Sequence, residues 1–269
     1  MPADPVPDDL WERIAPLLPP APERRHGFPG RLRVPDRASL AGVMYVLRTG
    51  VAWRDVPAET VGCSGVTAWR RLRDWTESGV WPRLHAELLA ELRRADLLDL
   101  DDCSVDGSHV RALKRGHHVG PSPVDRARPG SKHHLIVDRH GTPLAVTLTG
   151  GNRHDVTQLL PLLDAVPPIR GRRGRPRRKP RRLYADRGYD FDKYRCLLWE
   201  RGIKPRIARR GVAHGSGLGK GRWVVERAFA WMHQFKRLRI RYEQRADLHQ
   251  GLLELACSLI CLRRLRTSF

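Results

Sequence analysis

Gly221-Arg222-Trp223-Val224-Val225-Glu226-Arg227-Ala228-Phe229-Ala230-Trp231-Met232-His233-Gln234-Phe235-Lys236-Arg237-Leu238 is the stretch on which the reading of the chain turns. Val224, Ala228, Trp231, Phe235 and Leu238 recur in alternating steps of four and three, which predicts one helix over 221–238 with a single inward apolar stripe. At about 100° per residue, Glu226 falls on the opposite side, in a basic row with Arg222, His233 and Arg237. Taken alone, such a glutamate is a solvated surface residue among helical salt-bridge partners. Its meaning depends on what else the chain brings to it.

The chain has 269 residues, 41% of them hydrophobic and 29% charged, enough for one large domain or two smaller ones. No apolar run is long enough for a membrane span, and the opening Met1-Pro2-Ala3-Asp4-Pro5 is not a leader, so the expected location is the cytoplasm, associated with the nucleoid. Five cysteines, widely spread and never in a C-x-x-C pair, point to buried thiols rather than a disulfide framework or a zinc site. The formal charge of +21 calls for a polyanionic partner. Nucleic acid comes first; a membrane surface would need a basic amphipathic helix or a lipidation signal, and neither is present. Residues 170–182 carry nine Arg or Lys, no acid and interrupting Gly and Pro, the pattern of a solvated loop able to track phosphates.

Up to about residue 98 the pattern is helical. Helices are expected over Asp8–Leu18, from Asp36 as a cap to Gly50, from Ser64 as a cap, and over Trp81–Ala95. The third would bury Trp69, Leu72 and Trp75 and expose Thr67, Arg70, Arg71 and Arg73, which suits either a helix-turn-helix or a helical bundle with a basic face. From Leu100 the texture changes. Strands are expected over 103–110, 133–138 and 143–149, with Asp138-Arg139-His140-Gly141 as a hairpin turn. A helix over 157–166 capped by Asp155 follows, then a strand at 183–186, a helix at 190–201, a strand at 204–207, the Gly-rich segment 211–221, the Glu226 helix, and a last helix over 248–265. That order predicts a mixed sheet flanked by helices, a mixed α/β fold behind an all-α N-terminal domain.

Asp106 lies within or just after the first strand and Asp186 at the end of the fourth, and strand ends are where ligand groups converge in α/β sheets. If those strands are neighbours, the two acids stand together and the helix can bring Glu226 over them. Three acids so close repel unless a cation neutralises them. Two hard divalent ions about 3.5–4 Å apart do this and support phosphodiester cleavage. Taken singly, Asp106 before Gly107 and Asp186 before Arg187-Gly188 also read as turn residues. His117, His118, His133 and His134 lack any metal-binding spacing and are read as solvated or phosphate-facing.

Four segments carry a resemblance. Ser104-Val105-Asp106-Gly107-Ser108, Gly150-Gly151-Asn152-Arg153-His154-Asp155, Tyr184-Ala185-Asp186-Arg187-Gly188-Tyr189-Asp190 and Arg222-Trp223-Val224-Val225-Glu226-Arg227 resemble the motifs of DDE transposases of bacterial insertion sequences, most closely the insertion-sequence-five branch. Where related enzymes often have Tyr and Lys flanking the third motif, this chain has Gly219 and His233. The resemblance implies a ribonuclease-H-like catalytic domain over 99–269, with Asp106, Asp186 and Glu226 as catalytic residues holding two Mg²⁺ ions, for which Mn²⁺ can substitute. It also implies an N-terminal domain over 1–98 that binds terminal inverted repeats. The expected activity is cleavage of double-stranded DNA at the element's ends and transfer of the freed 3′ ends to target DNA, by a homodimer on the DNA. Arg222, His233, Lys236 and Arg237 are the expected phosphate contacts, and Thr67, Arg70, Arg71 and Arg73 the expected base-reading face. The alternatives are a DNA-binding regulator that no longer cuts and a nuclease that hydrolyses without joining.

Overall fold

A computed structural model describes residues 5–23, 26–27, 31–211 and 219–267; the opening residues 1–4 and most of the Gly-rich segment, 212–218, lie outside them. The first third is helical: α1 (Asp8–Ile14), α2 (Asp36–Thr49), α3 (Ala58–Val61), α4 (Gly65–Glu77) and α5 (Val80–Arg94). Ser64 caps α4 as expected, its hydroxyl accepting the Thr67 amide at 3.3 Å. Asp36 does not cap α2; its carboxylate accepts Arg33 at 2.8 Å and Arg71 at 3.1 Å. α3 is a single turn, joined to α4 by Gly62-Cys63-Ser64 with Gly62 in the left-handed region at φ 85°.

The rest of the chain builds one mixed sheet from β1 (Asp102–Ala112), β2 (Gly120–Pro121), β3 (Pro129–Val137), β4 (Pro143–Gly150), β5 (Arg182–Ala185), β6 (Lys204–Ile207) and β7 (Ile240–Arg241). β4, β3 and β1 form an antiparallel meander; β5 then pairs parallel with β1, and β6 parallel with β5. β2 extends the edge of β3, and β7 pairs with the far end of β1. The hairpin at 138–141 forms as expected: Gly141 takes φ 84°, and the buried Asp138 carboxylate accepts the amides of His140 and Thr142. Three antiparallel strands continued by parallel ones, covered by α6 (Leu159–Asp164), α7 (Asp192–Glu200), α8 (Gly219–His233) and α9 (Ala246–Arg266), make the expected mixed α/β core.

α9 organises the packing. It is buried around most of its circumference because α4 and α5 cover it on one side and β4 and α8 on the other. A single hydrophobic core therefore runs from Leu10 and Trp75 through Leu255 and Leu259 to Val105 and Leu135. Burial of that apolar surface fixes the N-terminal helices against the sheet.

The Glu226 helix is shorter than its apolar spacing suggests. α8 ends at His233, and Lys236–Leu238 form a separate 3-10 turn. The buried side consists of Val224, Val225, Ala228, Phe229 and Met232, whereas Trp231 is only half-buried. Phe235 and Leu238 are buried from the turn, not from the helix. His133 and His134 are also not solvated. Both lie inside the sheet: the two Nε2 atoms of His133 and His249 are 2.9 Å apart, and His134 Nε2 lies 2.7 Å from Thr149 Oγ1.

Candidate active site

The parallel pairing of β1 with β5 sets Ser104 opposite Tyr184. Asp106 and Asp186 each follow two residues later, on the same face as those partners, Asp106 in the middle of β1 and Asp186 directly after the end of β5. α8 is clamped over them. Ser104 Oγ donates to the Gly221 carbonyl at 2.7 Å, and Gly221 packs so tightly on the Tyr184 ring that an added Cβ would come within 2.8 Å of it. The missing side chain at Gly221 is what lets the helix start this close to the sheet.

Asp106 senses the charge of Asp186. Burial pushes the Asp106 carboxyl up to about 6, with Asp186 and Asp155 adding to the shift and the Gly107 amide and Arg222 opposing it. Each acid spends one oxygen on a backbone amide, Asp106 Oδ1 on Gly107 and Asp186 Oδ1 on Gly188, both at 2.8 Å. Tyr189, buried beside them, has its hydroxyl held well above its ordinary range by burial and by the charges of Asp106, Asp155 and Asp186.

Glu226 stands apart from this pair. Its side chain is 63% exposed, and its Oε1 lies 3.5 Å from the Arg222 guanidinium one turn earlier. Among the described residues no three His, Cys, Asp or Glu side chains are gathered tightly enough to hold a metal ion. The donor chemistry nevertheless fits a hard divalent cation: two adjacent carboxylates, partly desolvated, each with one oxygen free of the amide that fixes it. Arg222 is the local stand-in for that charge, since it neighbours Glu226 and lowers Asp106.

Asp155 is the residue whose part the sequence pattern obscured. It does not cap a helix; His154 occupies the cap position without a side-chain bond. Instead Asp155 pairs with the buried Lys132, Nζ to Oδ1 3.0 Å, and rests against Gly107, where an added Cβ would meet its Oδ1 at 2.7 Å. A buried lysine on a strand three residues before a buried apolar run was the available signal.

The expected DNA contacts divide. Arg222 and Lys236 remain accessible, and Arg70 is exposed on α4. Arg237 is not a surface cation: it is 4% exposed, its guanidinium donates to Glu243 Oε1 at 2.6 Å and to the Val51 carbonyl at 2.9 Å, and it ties the end of α2 to the sheet domain. His233 is half-buried beside Phe229, and burial lowers its pKa, so near neutral pH it is an uncharged ring. Arg71 turns inward to Asp36 at 3.1 Å. Arg73 pairs with Asp74 and lies over the Trp69 ring, and the Thr67 hydroxyl is 3.0 Å from the Ser64 cap. The basic loop is partly pinned, with Arg177 on Asp101 and Arg172 on Asp96.

A family model described as "Transposase DDE domain" matches residues 99–261, and a second, for a candidate transposase of the IS4/5 family, matches residues 6–85. The candidate transposase of insertion sequence element IS402 from Burkholderia cepacia is 64% identical over 148 residues, 55% of this chain and 70% of that protein. An uncharacterized 16.2 kDa protein of the same element is 55% identical over 119 residues, 44% of this chain and 80% of that protein. The crystal structure of the Mos1 strand transfer complex aligns over 90% of this chain and 81% of that one, at 14% identity and a TM-score of 0.27.

Proposed function

Since the chain belongs to the transposase DDE-domain family, we propose that Asp106, Asp186 and Glu226 are the acids with which it cleaves and rejoins DNA. The protein is a DDE transposase of an insertion sequence, an enzyme of DNA cleavage and strand transfer. The observation that supports the site assignment is the Ser104–Tyr184 register, which sets Asp106 of β1 level with Asp186 just past the end of β5, beneath a clamped helix bearing the glutamate.

Members of this family use a divalent metal. Asp106 and Asp186 would hold it through their unspent oxygens, joined by Glu226 once that side chain leaves Arg222. Two Mg²⁺ ions, replaceable by Mn²⁺, are the proposed complement; bound there, they supply an activated water and neutralise charge on the departing oxygen. The chain's own residues do the rest. The Gly107 and Gly188 amides fix the two aspartates in place. Arg222 takes a DNA phosphate near the site and Lys236 one beyond the far end of α8, while Arg70 on the exposed face of α4 supports reading of terminal inverted repeats by the helices of residues 1–98. The DNA partner comprises those ends and the target, held by a homodimer because two ends must be brought together. Among the described residues no helix is long and apolar enough to cross a membrane, and a cytoplasmic, nucleoid-associated location suits this work.

The test supplies pre-cut element ends with free 3′-hydroxyls, target DNA and Mg²⁺. Joined products support the transposase; hydrolysis alone would make it a nuclease, and binding without chemistry a regulator.

A further inference from the structure

The basic run between α6 and β5, expected as a solvated loop, is the tip of a short hairpin. Ile169 and Arg177 close it with two backbone bonds, the Ile169 amide to the Arg177 carbonyl at 2.8 Å and the Arg177 amide to the Ile169 carbonyl at 3.1 Å. Ile169 is buried, and the Arg93 guanidinium of α5 donates to its carbonyl. Gly171 then lies so close to the last turns of α5 that a Cβ there would collide with the Ala90 carbonyl. The hairpin is thus docked on the N-terminal helices.

The acids that its base meets are spent. Asp96 pairs with Arg172, Asp101 with Arg177 at 2.9 Å and Arg181 at 3.4 Å, and Asp102 with Arg182. Four arginines are left over. Arg170, Arg173, Arg175 and Arg178 are exposed and, among the described residues, have neither an acid nor any other polar partner. Arg94, in the last turn of α5 against which Gly171 packs, is exposed and unpaired in the same way. Burial, and then the charges of Arg177 and Arg172, lower the pKa of Arg93 beside them. Unmatched positive charge therefore collects where the sheet domain meets the N-terminal helices, and a polyanion relieves it.

We propose that the arginine hairpin over 170–178, with Arg94 of α5, is a binding surface for the phosphate backbone of double-stranded DNA, separate from the acid site. The proposal rests on the transposase reading. The hairpin feeds the start of β5, and the four residue steps from Arg182 to Asp186 put roughly 13 Å of strand between it and the acids. DNA held there is gripped away from the reacting phosphate, and such contacts position a duplex without reading its sequence. Guanidinium forks match phosphate oxygens, and a hairpin already docked has less freedom to lose on binding than a loose loop.

Each phosphate neutralised should contribute about 0.9 to the slope of log Kobs against log salt. The test is therefore binding of a short fluorescent duplex of arbitrary sequence across about 50–200 mM salt. Arg173→Gln/Arg175→Gln should make the slope shallower by about 1.8, and adding Arg170→Gln and Arg178→Gln should double the change. Thermal unfolding should not move, since none of the four side chains has a partner among the described residues. Arg54→Gln/Arg209→Gln removes as much charge as the first pair but from cations already paired with Asp55 and Asp192, and should change the slope far less. Equal slopes for wild type and the hairpin variants, or equal shallowing by Arg54→Gln/Arg209→Gln, would overturn the hairpin surface while leaving the transposase reading intact. A wild type that binds no duplex at all overturns both.

Discussion

The Arg222 guanidinium lies 3.5 Å from the Glu226 carboxylate and also pulls down the pKa of Asp106, so one arginine faces two of the three acids. At the proposed cation site this would make Arg222 the cation's competitor. Arg222→Gln should tighten Mn²⁺ binding several-fold, on the order of 1 kcal/mol for a half-exposed pair, as read by the loss of free-ion paramagnetic signal on titration. Weaker binding in the variant would mean that Arg222 supports the cation site instead.

Gly107 has no room for a side chain, since a Cβ would sit 2.7 Å from Asp155 Oδ1 and 3.3 Å from His134 Nδ1. Gly107→Ala must displace either the Lys132–Asp155 pair or the stretch of β1 that carries Asp106. Strand-transfer rate should fall about 100-fold, the cost of a misplacement near 1 Å, while circular dichroism stays that of the wild type. Full activity would show that Asp106 does not depend on this packing.

Much of this arrangement is legible in the residues and some is not. The strands, the Asp138–Gly141 hairpin and the Ser64 cap follow from local chemistry, namely alternation, a φ that favours glycine, and a hydroxyl placed to meet an orphan amide. The partnership of Asp106 with Asp186 needs the β1–β5 pairing, a long-range fact that no periodicity encodes. The end of α8 was obscured because Phe235 and Leu238 continue the apolar spacing from a separate turn, while Trp231 spends one face on Arg227. Arg237 reads as a surface cation until the chain bends back at Glu243 and buries both.

That burial carries its own test. Glu243, held down to about 2 despite its burial, accepts from His249 and Arg237. Arg237→Gln leaves this carboxylate without its arginine and should cost about 3–5 kcal/mol, read by urea unfolding. If stability were unchanged and only DNA affinity fell, Arg237 would be the phosphate contact first expected of it.

His85 on α5 is fully buried, with Nε2 2.9 Å from the Pro143 carbonyl, and burial lowers its pKa from 6.5 to about 4. The neutral ring is favoured in the folded state, so the unfolded chain binds the extra proton between those values. Stability from this group is complete above pH 6.5 and is lost as pH falls toward 4; Asp106, raised to about 6, works in the opposite direction. His85→Gln should therefore remove up to about 1.4 kcal/mol per pH unit of slope between pH 6.5 and 4 in denaturation experiments. An unaltered slope would place the acid sensitivity elsewhere.

We propose that Asp106 in β1 and Asp186 after β5 share a divalent cation with the glutamate of α8. Crystals soaked in Mn²⁺ and read by anomalous scattering address it directly. A peak is expected between Asp106 and Asp186, with Glu226 turned away from Arg222 toward it, and none in Asp106→Asn. An empty map at those aspartates, or manganese bound there with Glu226 still paired to Arg222, would contradict the three-acid site.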